Sequence, residues 1–133
     1  MHITFKEIKD FKPKELQDLF LSVKWEAGRK PEKLAIALKQ SDTVFSAWYG
    51  EKLVGLINAL DDGIITAYIH FLLVDPAYQG KGIGKELLRM AANKYKDYLR
   101  IVLICDDEET EFYQKNGFKP AKGTIPLFVN RQG

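Results

Sequence analysis

The chain has 133 residues, 46% hydrophobic and 29% charged, which suits one domain spanning 1–133 with a substantial core. Lys and Arg total 20 against 18 acidic residues, and the resulting +2 is spread along the chain rather than gathered in a block, which argues against a nucleic-acid binder. No run approaches the roughly 20 apolar residues of a membrane helix, the N-terminus lacks a signal-peptide core, and one cysteine, Cys105, rules out a disulfide framework within a monomer. A soluble, cytoplasmic protein with no membrane partner and no metal site is expected, with Cys105 buried as a structural thiol.

Ile3 to Ile8 reads as a first strand. Pro13 then opens a helix on which Leu16, Leu19, Phe20 and Val23 recur at amphipathic spacing, and a second short helix begins at Pro31. Thr43 to Tyr49 and Leu53 to Leu60 are rich in aromatic and branched residues and are separated by Gly50, Glu51 and Lys52, so they form a hairpin. After the turn signal Asp61, Asp62 and Gly63, Ile64 to Val74 makes a long strand that Asp75 and Pro76 stop.

The period changes at Ile83, where Ile83, Leu87, Leu88, Ala91, Ala92 and Tyr95 fall on one helical face. Arg100 to Cys105 is nearly all apolar, as expected of a parallel strand covered on both faces after a crossover helix. Glu108 to Lys115 predicts a last helix ended by Asn116 and Gly117, and Ile125 to Val129 a final strand. This order gives a mixed sheet in an α/β or α+β domain.

Gln79, Gly80, Lys81, Gly82, Ile83 and Gly84 join the long strand to the helix. Glycines admit backbone angles closed to other residues, and the first N–H groups of a helix have no partner inside it, so such a turn suits an anion. Lys81 and Lys85 stand where the helix dipole favours acids, which makes sense if an anion occupies the turn. A dinucleotide fingerprint needs glycine where Lys85 stands, and a P-loop needs Ser or Thr where Glu86 stands, so neither applies.

Val74, Pro76, Gln79, Gly82 and Gly84 resemble the acetyl-CoA signature of the GNAT superfamily of N-acetyltransferases, and Phe112 to Phe118 resembles the family's late segment, a helical tyrosine preceding a Gly-Phe pair. The resemblance implies the GNAT fold, with a mixed central sheet of six to seven strands and about four helices. It implies direct transfer of an acetyl group from acetyl-CoA to a primary amine of a small molecule or protein, with no covalent enzyme intermediate. The alternative is a non-catalytic module that binds or senses acyl-CoA.

Carried onto this chain, the resemblance places the pantetheine arm along the main chain of Leu72, Leu73 and Val74, where an amide would polarise the thioester carbonyl. The pyrophosphate would lie on the N–H groups of Gly80, Lys81, Gly82, Ile83, Gly84 and Lys85. Tyr113 aligns with the tyrosine that protonates the departing thiolate. Asp106 stands where many members carry Asn and is assigned to the cofactor site, and the acidic run Asp106 to Glu109 suits a helix N-terminus whose carboxylates cap free N–H groups.

For the base, His70 and Tyr68 share one strand face, and either that pair or a backbone-held water would take the amine proton. Trp25, Arg29, Trp48 and Tyr49 are candidates for the acceptor pocket, although Trp48 and Tyr49 must point to opposite faces. A homodimer is compatible with the family.

Overall fold

The computed structural model describes residues 1–131, and its packing divides the chain into two compact units, Met1–Leu103 and Ile104–Gly133. In the first unit, strands β1 (Thr4–Lys6), β2 (Thr43–Tyr49), β3 (Lys52–Asp61), β4 (Thr66–Val74) and β5 (Arg100–Leu103) lie side by side in sequence order. The first four are antiparallel, whereas β5 runs parallel to β4. A parallel return needs a crossover, and helix α3 (Ile83–Lys94) supplies it.

Helices α1 (Pro13–Ser22) and α2 (Pro31–Gln40) both start on proline, whose fixed φ suits a first helical position and whose missing N–H would be unpaired there anyway. At α1 the Lys12 N–H also donates to Glu15 Oε2 at 2.9 Å. Leu16, Leu19 and Phe20 of α1 and Leu34 and Leu38 of α2 form one apolar cluster with Val44, Trp48, Leu53, Leu56 and Leu73 of the sheet. Gly55, adjacent to Leu56 on β3, faces the other way, and a register shift at Val54 lets Leu53 share the cluster with Leu56. A Cβ there would stand 3.1 Å from Ile83 Cγ2 and 3.3 Å from Leu87 Cδ1, so α3 packs directly on the backbone of β3. The sheet is therefore covered by α1 and α2 on one face and by α3 on the other.

At the far end of α3, the buried Tyr95 hydroxyl bonds Thr43 Oγ1 at 2.6 Å and donates to Asp61 Oδ2 at 2.8 Å. Burial holds this phenol well above the ordinary tyrosine range, with the Asp61 carboxylate acting in the same direction. Among the described residues no helix is long and apolar enough to cross a membrane.

Three expectations need correction. Among the described residues the sheet has five strands rather than six to seven, because Ile125 to Val129 forms no ladder there and its Ile125, Leu127, Phe128 and Val129 side chains are exposed. Pro126, the second residue of this segment, has no N–H to give a ladder. Strand β5 stops at Leu103, and its residues alternate between exposed and half-buried, so only one of its faces is covered. Cys105 lies beyond that strand and is exposed, not buried. In the second unit a short 3-10 turn, Asp107–Glu109, leads into α4 (Thr110–Lys115).

Gly55→Val should destabilise the fold by about 1–3 kcal/mol through overpacking against α3. Urea unfolding would show this as a lower midpoint with an unchanged slope, and an unchanged midpoint would contradict the packing. Since the folded state favours neutral Tyr95, its contribution to stability is complete below the ordinary tyrosine pKa of about 10 and declines as pH rises past it. Tyr95→Phe should therefore be less stable than the parent at neutral pH, with the gap narrowing in unfolding curves above pH ~10.

Candidate active site

The strand end and the turn after it are latched by local bonds. Asp75 accepts from the Ala77 N–H at 2.9 Å and lies 3.5 Å from Lys52 Nζ, while Gln79 Nε2 donates to the Val74 carbonyl at 2.9 Å. Tyr78 sits beneath Lys52 and beside Tyr49, so the tip of the β2–β3 hairpin braces the start of the turn. Gln79, assigned from sequence to the cofactor site, thus ties the turn to β4.

Gly80 and Gly82 have φ of 78° and 81°, and a Cβ on either would meet open space. Their requirement for glycine is conformational, not spatial. Gly82 is the N-cap of α3, and the helical ladder begins with the Glu86 N–H donating to the Gly82 carbonyl at 3.0 Å. The N–H groups of Ile83, Gly84 and Lys85 therefore precede the ladder, next to the positive end of the helix dipole. Among the described residues no protein acceptor pairs with the N–H groups of Gly80, Lys81 or Gly82 either. Lys81 and Lys85 are exposed beside them, while Glu86 is engaged with Arg89 through two 2.7 Å bonds that lower its pKa. The turn concentrates unpaired donors and positive charge, a set that fits a diphosphate.

β4 arrives at this turn with one edge open. Its pairing with β5 runs from Thr66↔Arg100 to Ile69↔Leu103, and among the described residues no strand pairs with that edge farther on. On the β3 side the register jumps, since Asn58 faces Phe71 but Ala59 faces Ile69, leaving His70 as an extra residue. This bulge reverses the alternation of everything beyond it. The Phe71 N–H meets Asn58 Oδ1 at 2.9 Å and the Asp75 N–H meets the Val54 carbonyl at 2.8 Å, so both point toward β3. By alternation the Leu73 backbone faces β3 as well, whereas the Leu72 and Val74 backbone groups face the open edge.

The bulge also decides the side chains. Neighbours on a regular strand point to opposite faces, yet the His70 and Phe71 rings stack at 3.9 Å, and Tyr68 lies 5.7 Å from His70. Phe71 packs edge-on against Phe20 at 5.0 Å and lies 6.0 Å from Trp25, which places His70 on the α1 face of the sheet. Packing against Tyr68 and Phe71 partly desolvates the imidazole and lowers its pKa, while the residue remains exposed to solvent. Of the other acceptor-pocket candidates, Trp48 is buried, Tyr49 is exposed beside Tyr78, and Arg29 pairs with Glu26.

In the second unit, Tyr113 is half-buried on α4 with its ring against Phe112 and Phe118. Burial, with smaller contributions from Cys105 and Glu109, pushes its phenol up to about 12. The Phe118 N–H returns to the Tyr113 carbonyl at 3.0 Å across Gly117, which takes φ 94°, so the Gly-Phe pair ends α4. Asp106 precedes the 3-10 turn, and its side chain caps no N–H there, contrary to the expectation from the acidic run.

Asn58 is the residue that sequence reasoning missed. A carboxamide at an alternating position inside the apolar run Leu53 to Leu60 was the available signal.

Comparison with known proteins fits this geometry. The acetyltransferase (GNAT) family model matches residues 7–118. Histone acetyltransferase TAP1 of Glycine max is 35% identical over 131 residues, covering 88% of this chain and 56% of that protein. A ycf52-like N-acetyltransferase of Prochlorococcus marinus is 31% identical over 121 residues, covering 86% and 66%. The chain thus spans between about half and two thirds of the length of these curated relatives. A GNAT family acetyltransferase structure from Streptococcus pneumoniae TIGR4 superposes with a TM-score of 0.84 at 29% identity, over 98% of this chain and 100% of that one. Matched from just after β1 through Phe118, the chain belongs to the GNAT family of acetyltransferases.

Proposed function

We propose that this chain is an N-acetyltransferase that uses acetyl-CoA and passes the acetyl group directly to a primary amine of a small molecule or protein. The observation that carries the reading is the run of unpaired N–H groups from Gly80 to Lys85, placed at the end of a strand whose edge is open. Bound acetyl-CoA would supply the activated acyl group as a thioester.

The chain's own residues divide the work. Amides of the turn, with Lys81 and Lys85, hold the diphosphate at the dipole's positive end. Leu72 would offer its outward backbone groups, and Val74 its outward N–H, to the pantetheine arm, and an outward N–H is suited to polarising a carbonyl. His70, whose pKa is lowered by partial desolvation and which has Tyr68 beside it, would accept the amine proton directly or through water. Tyr113 stays protonated throughout the physiological range because its pKa is raised, as a donor to a departing thiolate must. The name of the soybean relative favours a protein amino group as acceptor. A cytoplasmic, reducing setting suits the lone exposed thiol of Cys105.

Gly82→Val forces a β-branched residue into a left-handed conformation, which costs roughly 1–2 kcal/mol or more and should weaken coenzyme A binding about tenfold in calorimetry. Undiminished affinity would remove the turn from the binding site. Tyr113→Phe should lower kcat by roughly 10²-fold with little change in KM for acetyl-CoA, followed as thiol release with an accepted amine. Equal turnover would strip Tyr113 of its role, and coenzyme A binding without turnover on any amine would favour an acyl-CoA sensor.

A further inference from the structure

The bulge at His70 is held by a buried polar chain that runs back to α2. Asn58 and Ser41 are each only 2% exposed. Asn58 Oδ1 accepts from the Phe71 N–H at 2.9 Å, Asn58 Nδ2 donates to Ser41 Oγ at 3.1 Å, and Ser41 Oγ donates to the Ala37 carbonyl at 2.9 Å. The chain fixes the carboxamide's orientation, because turning it over would set the Nδ2 group against another donor, the Phe71 N–H. Phe71 needs this partner since the extra residue carries its amide out of the regular ladder.

Bulge, alternation and exposed amides are therefore linked. Without the extra residue, alternation from Ile69 would send Phe71 and Leu73 to the α3 face, yet Phe71 packs on Phe20 and Leu73 lies in the α1–α2 cluster. The same inversion determines that Leu72, rather than Leu73, directs its N–H to the open edge.

We propose that Asn58, seated by Ser41, is a positioning residue for acyl transfer: it locks the β4 bulge and so aims the Leu72 N–H at the acyl carbonyl. The inference rests on the acetyltransferase reading above. Asn58 touches no substrate and acts only through the β4 backbone. Its loss should leave the diphosphate turn intact, because that turn is built by Gln79, Gly80 and Gly82 on separate bonds.

The test uses acetyl-CoA labelled with carbon-13 at the acetyl carbonyl, bound to the full chain and followed by infrared difference spectroscopy. In the parent protein the carbonyl band should fall to lower frequency on binding. Asn58→Ala should bind acetyl-CoA within about threefold of the parent, lose most of that band shift, and lose roughly 10-fold to 100-fold in kcat. Ser41→Ala keeps the Phe71 partner but unseats the carboxamide, so an intermediate shift is expected, and this variant carries the test if Asn58→Ala does not fold. A full parental band shift in either folded variant overturns the positioning role and leaves the enzyme reading standing. A parent protein that binds no acetyl-CoA, or binds it with no shift, removes both.

Discussion

An extra residue in β4 governs what this fold presents along its open edge. Because strand side chains and amides alternate with a period of two, inserting His70 exchanges the faces of everything from Phe71 to Val74. The exchange puts Phe71 and Leu73 into the core under α1 and turns the Leu72 and Val74 backbones outward. It needs support, since a bulged amide facing a buried interior without an acceptor costs roughly 1–3 kcal/mol. Asn58 provides that acceptor, and every buried side-chain nitrogen and oxygen among the described residues likewise has a partner.

The glycine turn works on a different principle. Its donors are free because a helix start cannot satisfy them internally, and the left-handed angles at Gly80 and Gly82 set the chain's course into α3. Gly55 has a complementary role in the sheet, because its lack of a side chain seats Ile83 and Leu87 close against β3. The start of α3 is thereby fixed relative to β4, so the anion-binding amides and the strand edge belong to one rigid arrangement. Electrostatic preorganisation of this kind depends on rigidity more than on the number of donors.

Local sequence made much of this legible. The β2–β3 hairpin, the proline starts of α1 and α2, and the switch from strand to helix across Pro76 to Gly82 all follow from residues close together in the chain. Ile125 to Val129 misled because composition alone suggested a strand, whereas a strand needs a partner and Pro126 withholds a donor. Cys105 misled because an apolar run was read as continuous burial, while β5 ends two residues earlier. The Asn58 network was invisible for another reason: it joins residues 37, 41, 58 and 71, and no local pattern records that they meet. Stacking of His70 on Phe71 was equally hidden, since simple alternation forbids it.

The Gln79 side chain that occupies the Val74 carbonyl has a consequence for solubility. A bare strand edge invites pairing with strands of other molecules, the first step of edge-to-edge aggregation. Here the outermost acceptor is already taken, and Pro76 follows directly after Asp75 and cannot extend a ladder. The latch shortens the stretch of β4 that a stray strand could grasp, so the edge stays open to a small ligand while offering less to its own kind.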